Sequence, residues 1–384
     1  EDKQERERLA AWARSSESLN RLKAMVERTE SMLPVSVDEL DADTMLLNVA
    51  NGTVDLRTGA VRPPAQSDLI TKSADVAYDV NADAPTFLAF LNEIFDGDEQ
   101  VVEFLQRAVG YSLTGKTSEH VLFICYGTGS NGKSTLLNTL QAILGDYAMS
   151  TPTETIMYKR YQTGIPNDVA RLRGARFTTL QEIEEGRRMS EPLVKQLTGG
   201  DILSARFLHA EFFEFQPQFK LWLGVNHKPR ITGGDHGIWR RIRLIPFTVQ
   251  VPDERQDKKL PEKLRAESAG ILNWAIDGCL KWQREGLGMP KAVEDATSEY
   301  RGEMDVIADF LDAALETDPG WEAPSSDVYN AYRRWAEAAG ERVNSQRWLT
   351  TKLEERGLER VKRRDGRKWK AVAVKTEYVT HGDA

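Results

Sequence analysis

Cysteine and histidine are scarce in this sequence of 384 residues, which has two cysteines and five histidines. Cys125 and Cys279 both lie in apolar stretches, so we expect two reduced, buried thiols rather than a disulfide. The histidines show no spacing with cysteines or carboxylates that is typical of a metal site. A disulfide framework and a structural zinc site are therefore excluded, and we expect only a metal that arrives with a ligand.

Long apolar runs are also missing. No run approaches the ~20 residues that a membrane-spanning helix needs, so we expect a cytoplasmic protein without a membrane partner. The net charge of −8 argues against a surface that is basic throughout. It leaves room for a local basic patch near the C-terminus, where Lys362, Arg363 and Arg364 form part of a basic run that could contact nucleic acid.

One glycine-rich stretch follows the apolar run 121–126 and precedes the helix-like run 135–140. A strand, a glycine-rich loop and a helix in this order predict a phosphate-binding P-loop. The glycines let successive N–H groups point at phosphate oxygens, and the helix N-terminus adds partial positive charge. The predicted nucleotide-binding residues are Gly127, Thr128, Gly129, Ser130, Asn131, Gly132, Lys133, Ser134 and Thr135.

The chemistry of the P-loop assigns roles to individual residues. We expect Lys133 to reach the β- and γ-phosphates of ATP and Ser134 to bind Mg²⁺ through its hydroxyl. Hydrolysis also needs a carboxylate at the end of a strand beside the loop, to hold the metal or to orient water. Glu182 ends the predicted strand 177–180 and is our candidate; a solvated acidic loop is the alternative.

Two further polar features follow predicted strands. Asn226 ends the predicted strand 219–225, where an amide could sense the γ-phosphate; a strand-terminating Asn before a turn fits the spacing equally well. Arg240 and Arg241 precede the predicted strand 242–247. An arginine can stabilise transition-state charge at a neighbouring subunit's nucleotide, although such a pair is more often a surface salt-bridge partner.

Between these strands the sequence predicts a β-hairpin with basic and aromatic residues at its tip. Such a tip can grip a sugar-phosphate backbone and stack on bases, whereas a surface hairpin with incidental charge is the alternative. The tip residues are Arg206, Phe207, Leu208 and His209.

Taken in order, the motifs resemble those of the superfamily-3 helicases of the phage and plasmid primase-helicase group, whose relatives include the poxvirus primase-helicase. The resemblance covers about residues 45 to 300, and the part that follows resembles a winged-helix domain. The segments that carry it are 51–56, 110–115, 127–134, 144–148, 170–176, 195–201, 226–229 and 239–243.

The resemblance implies an α/β fold: an AAA+-type P-loop ATPase core with a small N-terminal α+β domain and a C-terminal winged-helix-like domain. It also implies a hexameric ring with ATP between subunits and movement along single-stranded DNA, typically 3′ to 5′. By resemblance, Lys133 and Ser134 bind the phosphates and Mg²⁺, Glu182 is the Walker B acid and Asn226 is the sensor. The arginine finger, which reaches the ATP of a neighbouring subunit, is Arg241 or Arg240, with Arg241 preferred. Arg206 to His209 form the tip that tracks single-stranded DNA.

The predicted boundaries follow from the same reading. They are 1–44 for a charged helical linker or collar, 45–118 for the N-terminal domain, 119–252 for the helicase core, 253–303 for a helical extension and 304–384 for the winged-helix-like domain. Many family members also carry a primase-polymerase domain, and we interpret the opening helix as the end of a linker to one. The Walker B strand of this family often ends with paired acids. Here Gln181 precedes Glu182, so the second carboxylate is either Glu184 or absent.

We therefore expect a DNA helicase of phage or plasmid replication, in the host cytoplasm if a phage encodes it. Two alternatives remain. An AAA+ ATPase that remodels proteins would hydrolyse ATP without regard to DNA, and it gives no reason for a basic hairpin tip. A DNA-binding initiator or loader gated by nucleotide would bind an origin with negligible turnover.

Overall fold

The chain opens with two exposed helices. The computed structural model describes residues 2–159, 167–207, 211–231 and 236–378. Helices α1 (Asp2–Ser16) and α2 (Leu19–Met32) come first, and their apolar side chains Trp12 and Met25 are 66% and 59% exposed. The opening segment, predicted as a charged helical linker or collar over 1–44, thus contains two helices, and both lie outside the hydrophobic cores described below.

A small antiparallel sheet follows, formed by β1 (Leu46–Val49), β2 (Gly52–Asp55) and β3 (Ala60–Arg62). Val49 pairs with Gly52, so Ala50 and Asn51 form a two-residue turn, a length that favours a tight hairpin. Helices α3 (Pro85–Ile94) and α4 (Glu99–Leu113) come next.

The centre of the molecule is a parallel sheet of five strands, which are β4 (Leu122–Tyr126), β5 (Ala148–Ser150), β6 (Phe177–Gln181), β9 (Lys220–Val225) and β10 (Ile242–Pro246). Their order in the sheet is β10-β4-β9-β6-β5. The strand β7 (Leu203–Ala205) pairs with β8 (Phe213–Phe215) in a separate hairpin. The helices between these strands are α5 (Lys133–Leu144), α6 (Asn167–Ala170), α7 (Glu191–Thr198) and α8 (His236–Trp239).

Helices on both sides of the P-loop region share one hydrophobic core. After β10 come α9 (Leu260–Ala266), α10 (Ser268–Glu285) and α11 (Lys291–Glu303). A single buried cluster contains Phe104 of α4, Phe123 of β4, Trp222 of β9 and Trp274 of α10. Residues 45–118 and 253–303 are therefore packed as parts of the same core as the sheet, although they are far apart in sequence.

Two buried cations hold the end of α4 against the sheet. Arg176, which precedes β6, donates to the carbonyls of Leu113 and Leu46, each at 2.8 Å. Lys220 at the start of β9 donates to the carbonyl of Thr114. The Leu113 and Thr114 carbonyls lie at the end of α4, where helix geometry leaves acceptors unpaired and partial negative charge, whereas Leu46 is the first residue of β1. Burial lowers the pKa of both cations, so carbonyl acceptors must replace the lost water.

The C-terminal unit, residues 306–374, has its own core around Phe310, Tyr332, Trp335 and Trp369. The element order is α12 (Val306–Ala314), β11 (Leu315–Pro324), α13 (Ser325–Ala338), α14 (Gln346–Glu355), β12 (Arg360–Arg363) and β13 (Gly366–Val374). Its strands form an antiparallel sheet in the order β11-β13-β12.

Both thiols are buried and unpaired, as predicted. Burial raises the pKa of Cys125 and of Cys279 to about 12, so each behaves as a small apolar side chain. Among the residues described here, no helix combines the length and the apolar character that crossing a bilayer requires.

Candidate functional site

The glycine-rich loop joins the carboxyl end of β4 to the first turn of α5. A Cβ atom on Gly127 would lie 2.3 Å from the carbonyl oxygen of Phe247, and one on Gly132 would lie 2.7 Å from Cγ2 of Ile94. Gly132 also has a φ of 81°, in the left-handed region that favours glycine. A side chain fits at neither position, and the loop is therefore packed tightly between α3 and the end of β10.

The segment that follows β10 fixes the loop from one side. The N–H of Val251 donates to the carbonyl of Ser130 at 2.8 Å, and the Gln250 amide donates to the Thr128 hydroxyl at 2.9 Å. Sequence reasoning missed Gln250 and Val251, because nothing in their spacing from the loop marks them. They hold the loop in shape before any ligand binds.

Lys133 lies in the centre of the loop with only 5% of its surface exposed. Its ammonium donates to the carbonyl of Gly127 at 2.6 Å, to Oδ1 of Asn131 at 2.9 Å and to Oδ1 of Asn226 at 3.0 Å. Burial lowers the pKa of this ammonium, since desolvation disfavours the charged form. The contact joins the predicted phosphate-binding lysine to the predicted sensor amide.

Asn226 is exposed directly after β9, and β9 lies between β4 and β6 in the sheet. Its amide oxygen accepts from Lys133, whereas its NH₂ group makes no hydrogen bond to the residues that the structure describes. The amide can therefore donate to a phosphate oxygen or to water near the loop.

Glu182 follows β6 with a φ of 66°, a region that residues other than glycine rarely adopt. Two hydrogen bonds hold this backbone: its N–H donates to Gly224 at 3.2 Å, and its carbonyl accepts from the Thr153 hydroxyl at 2.7 Å. The carboxylate is exposed at the same edge of the sheet as Asn226. With one strand between β6 and β4, the two strand ends lie about 10 Å apart.

The residues present suit Mg²⁺ bound with a nucleotide. Ser134 is exposed in the first turn of α5, and Glu182 is exposed at the edge where the loop lies. Hydroxyl and carboxylate oxygens are the hard ligands that Mg²⁺ prefers, with phosphate oxygens and water completing the shell. Thr135, next to Ser134, is half-buried.

The two candidate finger arginines differ in exposure. Arg241 is 8% exposed, and its guanidinium donates to the Thr198 hydroxyl at 3.1 Å and to the Gly237 carbonyl at 2.6 Å. Arg240 is exposed. Burial within its own subunit argues against the preference for Arg241, so Arg240 becomes the better candidate to reach a neighbouring subunit.

The predicted hairpin is confirmed as β7 and β8, with Ala205 paired to Phe213. Arg206 lies over the Phe212 ring at 4.8 Å, and Phe207 stacks on Phe213 with ring centroids 5.4 Å apart. Phe207 and Phe212 are 46% and 64% exposed. The two other predicted tip residues, Leu208 and His209, lie outside the described residues.

The basic run near the C-terminus surrounds the turn between β12 and β13. Arg363 forms an ion pair with Glu322, so its charge is partly neutralised within the unit. Lys362, Arg364 and Arg367 are exposed and make no ion pair among the residues described. Arg367 thus joins the predicted Lys362 and Arg364 as an available cation.

Two families match different parts of the chain. The family described as "D5 N terminal like" matches residues 1–96, and the family described as "Poxvirus D5 protein-like" matches residues 302–383.

The relatives include proteins of several large DNA viruses. The helicase candidate L207/L206 of Acanthamoeba polyphaga mimivirus is 29% identical over 79% of this chain and 34% of its own length. The helicase candidate 022R of Frog virus 3 is 25% identical over 78% and 39%. The primase candidate C962R of African swine fever virus is 23% identical over 83% and 35%. The chain thus spans little more than a third of the length of these relatives.

Solved structures of the C-terminal region of NrS-1 are also similar. One has a TM-score of 0.49 and 12% identity, over 77% of this chain and 78% of the other, a level too low to define the fold by itself.

The fold and the site define an α/β protein with a P-loop at the carboxyl end of a central parallel strand. The two family matches lie at the two ends of the chain, and most of its length is similar to helicase and primase candidates of large DNA viruses.

Proposed function

We propose that the chain is the motor of an ATP-dependent DNA helicase that acts in the replication of a virus, phage or plasmid. The observation that carries the proposal is the hydrogen bond of 3.0 Å from the Lys133 ammonium to Oδ1 of Asn226. It joins a P-loop lysine to an amide at the end of the neighbouring strand. The names of the viral relatives, helicase and primase candidates, support DNA as the substrate.

The strand order supports an AAA+-type core. The sensor strand β9 lies between the P-loop strand β4 and the acid-bearing strand β6. This order brings Lys133, Asn226 and Glu182 to one edge of the sheet, since parallel strands end on the same side. Phosphate, water and catalytic carboxylate can then meet above β9.

The chain's own residues have distinct tasks in hydrolysis. Bound Mg²⁺ would neutralise phosphate charge between Ser134 and Glu182. Lys133 exchanges its internal acceptors for phosphate oxygens, and Asn226 is then free to position the attacking water. Glu182 orients that water and accepts its proton. The hydrogen-bonded backbone at Glu182 fixes the point from which this side chain leaves the sheet.

Arg240 completes the site from a neighbouring subunit, which requires assembly; we propose a hexameric ring.

Arg240→Ala is expected to lower ATP hydrolysis at least about 10³-fold, the size of an arginine-finger effect, with unchanged thermal unfolding. Arg241→Ala is expected to lower the free energy of unfolding by about 1–3 kcal/mol, because two internal hydrogen bonds are lost. Turnover assays and calorimetry measure both, and a stable but inactive Arg241→Ala with an active Arg240→Ala would reverse the assignment.

The β7–β8 hairpin is the proposed contact with single-stranded DNA in the ring channel, with movement 3′ to 5′. Arg206 supplies a charge and Phe207 an exposed ring on which a base can stack.

In the C-terminal unit, the element order helix, strand, two helices and a two-stranded hairpin supports a winged-helix-like domain. Lys362, Arg364 and Arg367 at its hairpin are placed to contact duplex DNA.

The test of the proposal is ATP hydrolysis with and without single-stranded DNA, followed by strand unwinding. In Phe207→Ala we expect about 5- to 160-fold weaker single-stranded DNA binding, from the ~1–3 kcal/mol that base stacking contributes. Stimulation of hydrolysis by DNA should fall with it, in Arg206→Ala as well, while hydrolysis without DNA stays within about twofold.

The matched control is Arg284→Ala, an exposed arginine near the end of α10, which should behave as wild type. Hydrolysis that ignores DNA in every variant would instead favour protein remodelling. Origin binding with negligible turnover would favour a nucleotide-gated initiator.

A further inference from the structure

Lys228, two positions after Asn226, is a charged side chain in a mostly buried place. Its side chain is 12% exposed, although lysine is seldom buried without a partner. The ammonium lies 4.8 Å from the centroid of the Tyr126 ring and 5.7 Å from that of the Tyr300 ring. It also forms an ion pair with Oε1 of Glu303 at 2.7 Å. None of the roles assigned above uses this lysine.

The Tyr126 ring connects Lys228 to the P-loop. Tyr126 is the last residue of β4 and directly precedes Gly127. It pairs in register with Val225, the last residue of β9, so the P-loop and the loop after β9 (residues 226–230, here called the sensor loop) leave the sheet side by side. An ammonium over an aromatic face is attracted by the ring quadrupole, and the attraction grows when water is excluded. Lys228 therefore joins the two loops where both begin.

Helix α11 supports the sensor loop from the other side. The hydroxyl of Tyr300, a fully buried residue, donates to the carbonyl of Pro229. Burial raises the pKa of this hydroxyl well above its ordinary value, so it remains a donor. The helix is itself tied to the sheet, because the N–H of Leu244 in β10 donates to the Thr297 hydroxyl at 3.1 Å. Residues 228 and 229 are thus held to an element that is packed on β10.

The far end of the sensor loop is also fixed. The N–H of Arg230 donates to the carbonyl of Arg187 at 2.8 Å, and the carbonyl of Arg230 accepts from the N–H of Met189 at 2.9 Å. Asn226 and His227 are exposed and lie between these anchors and the end of β9. The position of the Asn226 amide therefore depends on how residues 228–230 are held.

Phosphate binding changes one contact of the sensor loop and leaves the others. Lys133 donates to Oδ1 of Asn226 at 3.0 Å, and in the proposed mechanism it exchanges this acceptor for phosphate oxygens. The Asn226 amide then loses a partner at the moment when it must position water. The contacts of Lys228 involve none of the residues assigned to phosphate, so they persist through the exchange.

We propose that Lys228 is a positioning residue for ATP hydrolysis. It holds the sensor loop against the end of β4 and against α11, and it thereby keeps the Asn226 amide beside the attacking water after Lys133 has turned to phosphate. The inference rests on the function proposed above and adds a residue that acts through Asn226 without touching the nucleotide. An ion pair that only stabilises α11 is the alternative, and it would affect unfolding rather than turnover.

The test removes the charge of Lys228 and keeps its shape. Lys228→Met retains an unbranched apolar stem, but it can neither pair with Glu303 nor place a cation over Tyr126. We expect turnover at saturating ATP to fall about 10- to 100-fold, the scale on which a misplacement of about 1 Å slows catalysis, while the dissociation constant for ATP with Mg²⁺, measured by calorimetric titration, stays within about twofold. Lys228→Arg keeps a cation that can stack on the same rings, so it should recover turnover to within about threefold of wild type.

The matched control is Lys291→Met. It makes the same replacement at an exposed lysine of α11, whose ammonium pairs with Asp295 at 2.9 Å, and turnover and ATP binding should equal those of wild type. A second pair of variants tests the aromatic contact. Tyr126→Leu should reproduce the loss seen in Lys228→Met, and Tyr126→Phe, which keeps the ring, should recover it.

A double-mutant cycle with Asn226 separates positioning from a structural role. Asn226→Ala alone is expected to lower turnover about 100-fold, as the loss of a preorganised donor does. If Lys228 acts through Asn226, adding Lys228→Met should slow the Asn226→Ala variant by less than about twofold. Independent roles would instead multiply the two losses.

Three results would each overturn the positioning role and leave the P-loop assignment standing: turnover of Lys228→Met within about twofold of wild type, losses that multiply in the cycle, or ATP binding that weakens as much as turnover falls. If Lys228→Met does not fold, the two Tyr126 variants decide by the same criteria. A wild type that hydrolyses no ATP overturns the proposed function itself, and the positioning role with it.

Discussion

Replacing Lys133 with alanine is expected to lower ATP hydrolysis by about 10²–10³-fold, the scale found when one preorganised donor to a reacting phosphate or oxyanion is lost. The ammonium lies buried among Gly127, Asn131 and Asn226, where an incoming phosphate would take over its hydrogen bonds. In such a partly dehydrated place a single charge interacts more strongly than it would in water. The measurement is turnover at saturating single-stranded DNA.

The control for this variant is Lys291→Ala. Lys291 is an exposed lysine of α11 whose ammonium pairs with Asp295 at 2.9 Å, so its loss should leave turnover unchanged. Thermal unfolding of Lys133→Ala should stay close to wild type, because the buried ammonium already bears a desolvation cost. Full hydrolysis in a folded Lys133→Ala would remove the P-loop from the mechanism.

The second large effect is expected from Glu182→Gln. This change keeps the shape of the side chain and the positive φ of 66°, but it removes the base that orients and deprotonates water. Hydrolysis should fall by about 10²–10⁴-fold, the usual contribution of a general base, while ATP binding persists. Calorimetric titration with ATP and a turnover assay on the same sample separate the two quantities.

Glu185→Gln is the matched control and Glu184→Gln tests for a second carboxylate, because both side chains are exposed on the same loop. We expect near-normal turnover in Glu185→Gln. A loss in Glu184→Gln as large as that in Glu182→Gln would identify Glu184 as the second carboxylate. Loss of ATP binding in Glu182→Gln would instead point to a structural role for this residue.

The central strands could be predicted because the sequences of buried parallel strands are short apolar runs. The predictions 177–180, 219–225 and 242–247 match β6, β9 and β10 to within one residue at each end. The short strand β5 carries no such run. Its pairing with β6 depends on the surrounding fold, and the sequence of the strand itself does not predict it.

The strand β11 was missed for a different reason. It contains Asp318, Pro319 and Gly320, which predict a turn, and its pairing with β13 shifts register between Thr317 and Glu322. The two paired parts belong to one strand only because β13 lies alongside both. Such long-range support overrides the local signal.

Within the site, motif spacing selected Lys133 and the family resemblance selected Asn226, and the structure brings the two into contact. Spacing could not decide between Arg240 and Arg241. The two arginines differ in burial because the Arg241 guanidinium donates to the hydroxyl of Thr198, more than forty positions earlier. No local sequence pattern predicts that contact. The loop anchors Gln250 and Val251 were missed for the same reason.

The shared core has a consequence for how the protein is made. Helix α4 packs against α10, and both belong to the cluster that also contains Phe123 and Trp222 of the sheet. During synthesis, which releases the N-terminal part first, the P-loop strand emerges well before α10 is available. The face of α4 that packs on α10 must therefore stay uncovered until α10 leaves the ribosome, whereas the C-terminal unit can close its own core as soon as its last strand appears.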